Sequence, residues 1–109
     1  MASLQKVVFT IAPGATVSNE IGADELRSCR AMSIQAPDTL TGTVTATSGN
    51  DDIDTATFAT IQSPPGTDVA LAADKTTVFT IAPFPRFRLK SSIAEASART
   101  FTAWLSIGE

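Results

Sequence analysis

Asn50, Asp52 and Asp54 stand at alternate positions, the spacing that opens a calcium-binding loop. A loop of the helix–loop–helix type also needs glycine at its sixth position and a bidentate acid at its twelfth. Here those positions hold Thr55 and Ile61, so the default reading is a solvated acidic turn. Asp51, Asp52 and Asp54 could also supply a carboxylate pair for acid–base hydrolysis. An exposed turn offers nothing to raise a carboxyl pKa, which counts against it. The chain has no histidine, which removes Ser–His and Cys–His nucleophile pairs and imidazole metal ligands. Cys29 is the sole cysteine, so no intrachain disulfide or Cys-based zinc site can form. It reads as a small buried hydrophobe. Pro64-Pro65-Gly66 lacks the pattern of a phosphate loop. An enzyme is therefore the weakest functional class, and no catalytic, cofactor-binding or metal-binding residue is expected.

Two features carry recognition chemistry instead. Arg86, Arg88 and Lys90 alternate along Phe84–Lys90, opposite Phe87 and Leu89. Such a ladder either keeps a surface strand soluble and unpaired or meets an acidic partner, such as another protein subunit. Nucleic acid is a minor option. The net charge is −3, and such binding is driven by phosphate neutralisation. Trp104, the only tryptophan, falls on the face of Arg99–Ile107 shared with Thr100, Thr102 and Ser106. Phe101, Ala103, Leu105 and Ile107 make the opposite, core face. Either Trp104 is covered by the fold, or it is an interface anchor of the kind enriched at binding hot spots, with sugar stacking as a variant. Taken as a pair, the two C-terminal strands have a core side and a second side bearing three cations and the tryptophan. Phe84, Arg86, Arg88, Lys90 and Trp104 are thus the candidate partner contacts.

The elements that must hold these residues are strands. Alternating apolar and polar residues mark Gln5–Ile11, with Val7, Phe9 and Ile11 toward the core, and Ala15–Ile21, anchored by Val17 and Ile21. Gly22–Leu26 suits one helical turn. Ser28–Ala36 buries Met32, Ile34 and Ala36, and Leu40–Thr47 buries Val44 and Ala46. Thr55–Gln62 is anchored by Phe58 and Ile61. Asp68–Leu71 and Thr76–Ile81 precede the two C-terminal strands. Pro37-Asp38, Ser48–Asp52, Ala72–Lys75 and an Ala-rich loop at Ser91–Ser97 punctuate them. Val8-Phe9-Thr10-Ile11-Ala12-Pro13 recurs as Val78-Phe79-Thr80-Ile81-Ala82-Pro83 with unrelated flanks, so these are two strands with the same job rather than a duplicated unit.

Length and composition bound the rest. A chain of 109 residues makes one domain, residues 1–109, able to bury a core without metal or disulfide. An apolar fraction of 43% argues against a disordered chain. Eight or nine short strands with regular turn signals predict an all-β, antiparallel sandwich or barrel. Met1–Lys6 lacks the apolar run of a signal peptide, and no stretch reaches transmembrane length. The expectation is a protein made in the cytoplasm, with no membrane partner.

Several stretches resemble small virion-associated proteins of tailed bacteriophages. They are Ala12–Asn19, Met32–Pro37, Thr76–Pro83, Phe87–Ser92 and Ala98–Thr102, and the resemblance covers most of the chain. It implies a single β-sandwich of jelly-roll type and a structural role in the particle. The expected role is a capsid cement or decoration protein on the outside of the shell, partnered by the major capsid protein and by further copies of itself. A tail, head-fibre or glycan-binding sandwich is the alternative. The middle hairpin departs from the pattern: Ala56-Thr57-Phe58-Ala59-Thr60 has one aromatic residue where more are usual. The resemblance implies no catalytic residues.

Overall fold

The computed structural model describes residues 3–26, 29–53, 55–62, 66–80 and 85–107. Among the described residues there are nine strands: β1 (Ser3–Ile11), β2 (Ile21–Gly22), β3 (Cys29–Gln35), β4 (Val44–Gly49), β5 (Phe58–Thr60), β6 (Ala70–Leu71), β7 (Thr76–Thr80), β8 (Arg86–Ser91) and β9 (Arg99–Ile107). One helical turn, α1 (Ala23–Leu26), follows β2. The strands form two antiparallel sheets in the orders β1-β9-β3-β7 and β2-β8-β4-β5, with β6 pairing β4 beside β5. β5 and β6 share one edge of β4 and are bridged by Gln62 and Asp68. Counted as one broken strand, they leave eight. The chain crosses between sheets at nearly every connection, which is the wrapping of a jelly roll.

The alternation of apolar residues sets the two inner faces. Phe9, Ile11, Met32, Ile34, Phe79, Phe101, Ala103 and Leu105 come from one sheet, and Val44, Ala46, Leu71, Phe87 and Leu89 from the other. Phe87 reaches across to both edge strands of the opposite sheet, with ring centroids 5.4 Å from Phe9 and 6.1 Å from Phe79. This explains the repeated Val-Phe-Thr: β1 and β7 are the two edges of one sheet, and each offers its phenylalanine to Phe87. Cys29 is buried, as expected, and burial pushes its thiol pKa up.

Three sequence expectations fail for physical reasons. β8 and β9 do not form a pair. They lie in opposite sheets, because the connection after Ser91 crosses the sandwich instead of folding back as a hairpin. Ala15–Ile21 is not a strand along its length. Ser18 is held by β8, its N–H donating to Leu89 O and its Oγ accepting from Leu89 N. Asn19, meanwhile, turns its amide onto the edge of β1, accepting from Thr10 N at 2.8 Å and donating to Val8 O at 3.1 Å. Phe58 is no core anchor. β5 is only three residues long, and Phe58 lies half-buried on the outer face of its sheet while Ile61 goes inward.

The loop after β8 is fastened by a buried acid. Glu95 is 1% exposed, yet every donor it needs is present. Its Oε1 accepts from Thr41 N and Arg99 Nε, both at 2.8 Å, and its Oε2 from Gly42 N at 2.9 Å and Ser91 Oγ at 2.6 Å. Burial alone would raise its pKa. These four hydrogen bonds outweigh it and bring the group to about 2. The backbone of Glu95 also accepts from Gly14 N and donates to Ala15 O. Residues 12–16, 40–43 and 91–99 are thereby tied into one rigid end of the sandwich. The same bonds explain why β4 begins at Val44 and not at Leu40: the N–H groups of Thr41 and Gly42 serve Glu95 rather than a ladder.

Candidate functional site

The four expected contact residues that are described, Arg86, Arg88, Lys90 and Trp104, do not form one surface. Phe84 lies outside the described residues. Arg86, Arg88 and Lys90 share the outer face of the β2-β8-β4-β5 sheet, whereas Trp104 stands on the outer face of β1-β9-β3-β7, on the other side of the molecule.

The cation ladder divides in two. Arg86 Nη1 is 2.7 Å from Glu20 Oε1, and Arg88 Nη1 is 3.0 Å from Glu20 Oε2, so one carboxylate bridges both guanidinium groups. Arg86 Nε also lies 3.3 Å from Asp52 Oδ1. Arg88 Cζ stacks 3.9 Å from the centroid of the Phe58 ring. Gly49 makes room for this layer: a Cβ there would meet Arg86 Cβ at 3.0 Å and Phe58 Cζ at 3.3 Å. Lys90 is exposed and lines a shallow hollow with Thr43, Thr45, Thr60 and Ser92.

The acidic turn is also engaged within the chain. Asn50 Oδ1 accepts from Thr57 N, Asp51 Oδ1 from Asp52 N, and Asp52 Oδ1 faces Arg86. Asp54 lies outside the described residues. Among the described residues, no group of three or more His, Cys, Asp or Glu side chains is placed to hold a metal ion.

The β1-β9-β3-β7 face differs in character. Register puts Trp104 beside Lys6 of β1 and Ser33 of β3, with Val78 of β7 beyond Ser33. In the next row outward-facing Leu4, Ser106 and Ala31 are neighbours. Large side chains at Leu4, Trp104 and Val78 stand around small ones at Ala31, Ser33 and Ser106, and between them runs an apolar groove of about 350 Å³. Trp104 is 42% exposed, so the sandwich does not cover it. The alternation of β9 located Trp104 correctly. The groove could not be found from sequence, because its lining comes from four strands.

No known family model matches the chain, and no curated protein matches it in sequence. Its fold is similar to that of YomS, an SPBc2 prophage-derived protein, with a TM-score of 0.60, 12% identity and 95% of each chain covered. It is also similar to the Yersinia pseudotuberculosis-derived mitogen, with a TM-score of 0.51 and 9% identity, covering 100% of this chain and 89% of the other. At these identities the likeness is one of fold. No helix among the described residues is long and apolar enough to cross a membrane.

Proposed function

We propose that this chain is a structural component of a tailed-phage particle, a cement or decoration protein that binds the outside of the assembled capsid shell. The observation that carries the reading is the apolar face around Trp104, which the sandwich leaves uncovered and which assembly would cover, whereas Arg86, Arg88 and Arg99 are engaged within the chain. A jelly roll tied at one end by Glu95 is a rigid platform for such a face. The sequence resemblance to virion-associated proteins and a fold shared with a prophage-derived protein are consistent with it. The reading requires no catalytic step and no cofactor. Its partners are the major capsid protein and further copies of the chain, on the capsid exterior. Because the protein binds the assembled shell and not free subunits, it stabilises the shell by mass action.

The test is co-sedimentation of the purified chain with undecorated shells and, separately, with unassembled capsid protein. Binding to shells alone, together with a higher shell melting temperature, is the expected result. Failure to bind shells would defeat the reading. The exposed indole beside the Ser33 and Ser106 hydroxyls also suits stacking on a sugar ring. Glycan binding that disappears in Trp104→Ala would favour that second reading.

A further inference from the structure

Six large apolar side chains are exposed among the described residues, and four of them stand on one face: Leu4, Val8, Val78 and Trp104. Leu4 and Val78 are 68% and 69% exposed. Together the four uncover roughly 400 Å², within the range in which the largest apolar patch of a monomer is often functional. The other two, Ile53 and Ile93, stand singly in loops.

Charge narrows what can cover this face. The chain has eleven acidic groups against eight basic ones, so two copies share a modest net negative charge that favours contact through a neutral face. The outer-face register positions of β1, β9, β3 and β7 hold one charge, Lys6, and it lies on an edge strand. Arg30 sits in the β3 bulge at the end of the sheet. The centre of the face is neutral and free of carboxylates, so a second copy of it can approach without like charges meeting.

Shape and size point the same way. The patch holds both protruding side chains, Trp104 and Val78, and a recess floored by Ala31, Ser33 and Ser106. A two-fold interface needs this combination, since one patch must complement itself. A ring would need a second, different patch, and among the described residues the isolated Ile53 and Ile93 do not supply one. β1 and β9 are nine residues long, β3 seven and β7 five. With strands about 4.8 Å apart they offer a footprint of roughly 500 Å², so two copies cover about 1,000 Å² in all, the lower bound of a specific interface.

We infer that the outer face of β1-β9-β3-β7 is a two-fold interface between copies of this chain, with Trp104 of each copy seated in the recess of the other. The inference rests on the reading of the chain as an assembly component and gives this face to contact between copies, so that shell contact falls to the remaining surface of the dimer. It is tested by sedimentation equilibrium of the full chain over a hundredfold concentration range, with the fluorescence of the single tryptophan as a second readout. The expected mass is twice 11.4 kDa, with emission moving to shorter wavelength as the dimer forms. Val78→Lys and Leu4→Glu change side chains that are exposed in the monomer, so both variants should keep the wild-type circular dichroism. Each should weaken the dimer by about 30-fold or more. A wild type that stays monomeric, a three-fold ring, or a dimer unaffected by both substitutions would overturn the inference. Shell co-sedimentation separates the two proposals. A monomer that binds shells sinks only the dimer, and a dimer that ignores shells sinks only the cement role.

Discussion

Arg99 Nε lies 2.8 Å from Glu95 Oε1, on a carboxylate that is almost wholly buried. The Arg99 side chain is itself only 12% exposed, so neither charge is well served by water. Removing one partner of such a pair strands the other, at a cost of about 3 kcal/mol or more. Glu95→Ala should lower stability by about that amount in chemical denaturation, because Thr41, Gly42 and Ser91 also lose their acceptor. A loss under ~1 kcal/mol would mean that the loops are held by other contacts.

The same carboxylate sets an acid limit. An ordinary glutamate takes its proton near pH 4.5, whereas folded Glu95 holds out to about 2. As acid is added the unfolded state binds the proton first, so folding is penalised. The stabilisation is complete above pH 4.5 and is lost progressively toward pH 2. Denaturation midpoints measured across this window should fall more steeply for the wild type than for Glu95→Gln. Parallel slopes would contradict the assignment.

Gly42 should not tolerate a side chain. A Cβ there would meet Ser91 Oγ at 2.5 Å and Ile93 Cγ1 and Ser92 Oγ at 2.9 Å. Ser91 cannot give way freely, since its hydroxyl donates to Glu95. Gly42→Ala is expected to cost about 1–3 kcal/mol, in the range of overpacking, read as a lowered thermal midpoint. An unchanged midpoint would show that the loop can open without loss.

The layer of Arg88 over Phe58 should be measurable as a coupling. Both side chains keep some access to water, so the stack is worth about 0.5–1 kcal/mol in a double-mutant cycle of Arg88→Ala and Phe58→Ala. Strictly additive losses would contradict it. Charge reversal at Arg86 or Arg88 would set a new carboxylate against Glu20 and disturb the fold. Attachment assays with such variants therefore need stability measured alongside.

Much of the inner face was legible because it follows from local alternation. Phe9, Met32, Ile34, Leu89 and Leu105 each point inward as their strand's period of two requires. Strand pairing was not legible in this way. Nothing near Ser91–Ala98 in sequence says that the chain will cross to the other sheet. Phe58 and Ile61 carried a warning, since residues three apart cannot share one face of a strand. Glu95 was missed because a lone acid in an Ala-rich loop looks solvated. Its partners at Thr41, Gly42 and Ser91 are brought to it by the fold, and only Arg99, four residues on, hints at a pair. The ion pairs of Arg86 and Arg88 were hidden for the same reason: Glu20 lies more than sixty residues away.

The cement reading meets its most direct test in copy number. On that reading a phage encodes the chain, and quantitative mass spectrometry of its purified particles, scaled to the major capsid protein, gives the number in one experiment. The account predicts copies comparable in number to the capsid subunits. A number lower by an order of magnitude would place the chain in the tail, in fibres or at one special vertex, and absence from the particle would contradict the structural role outright.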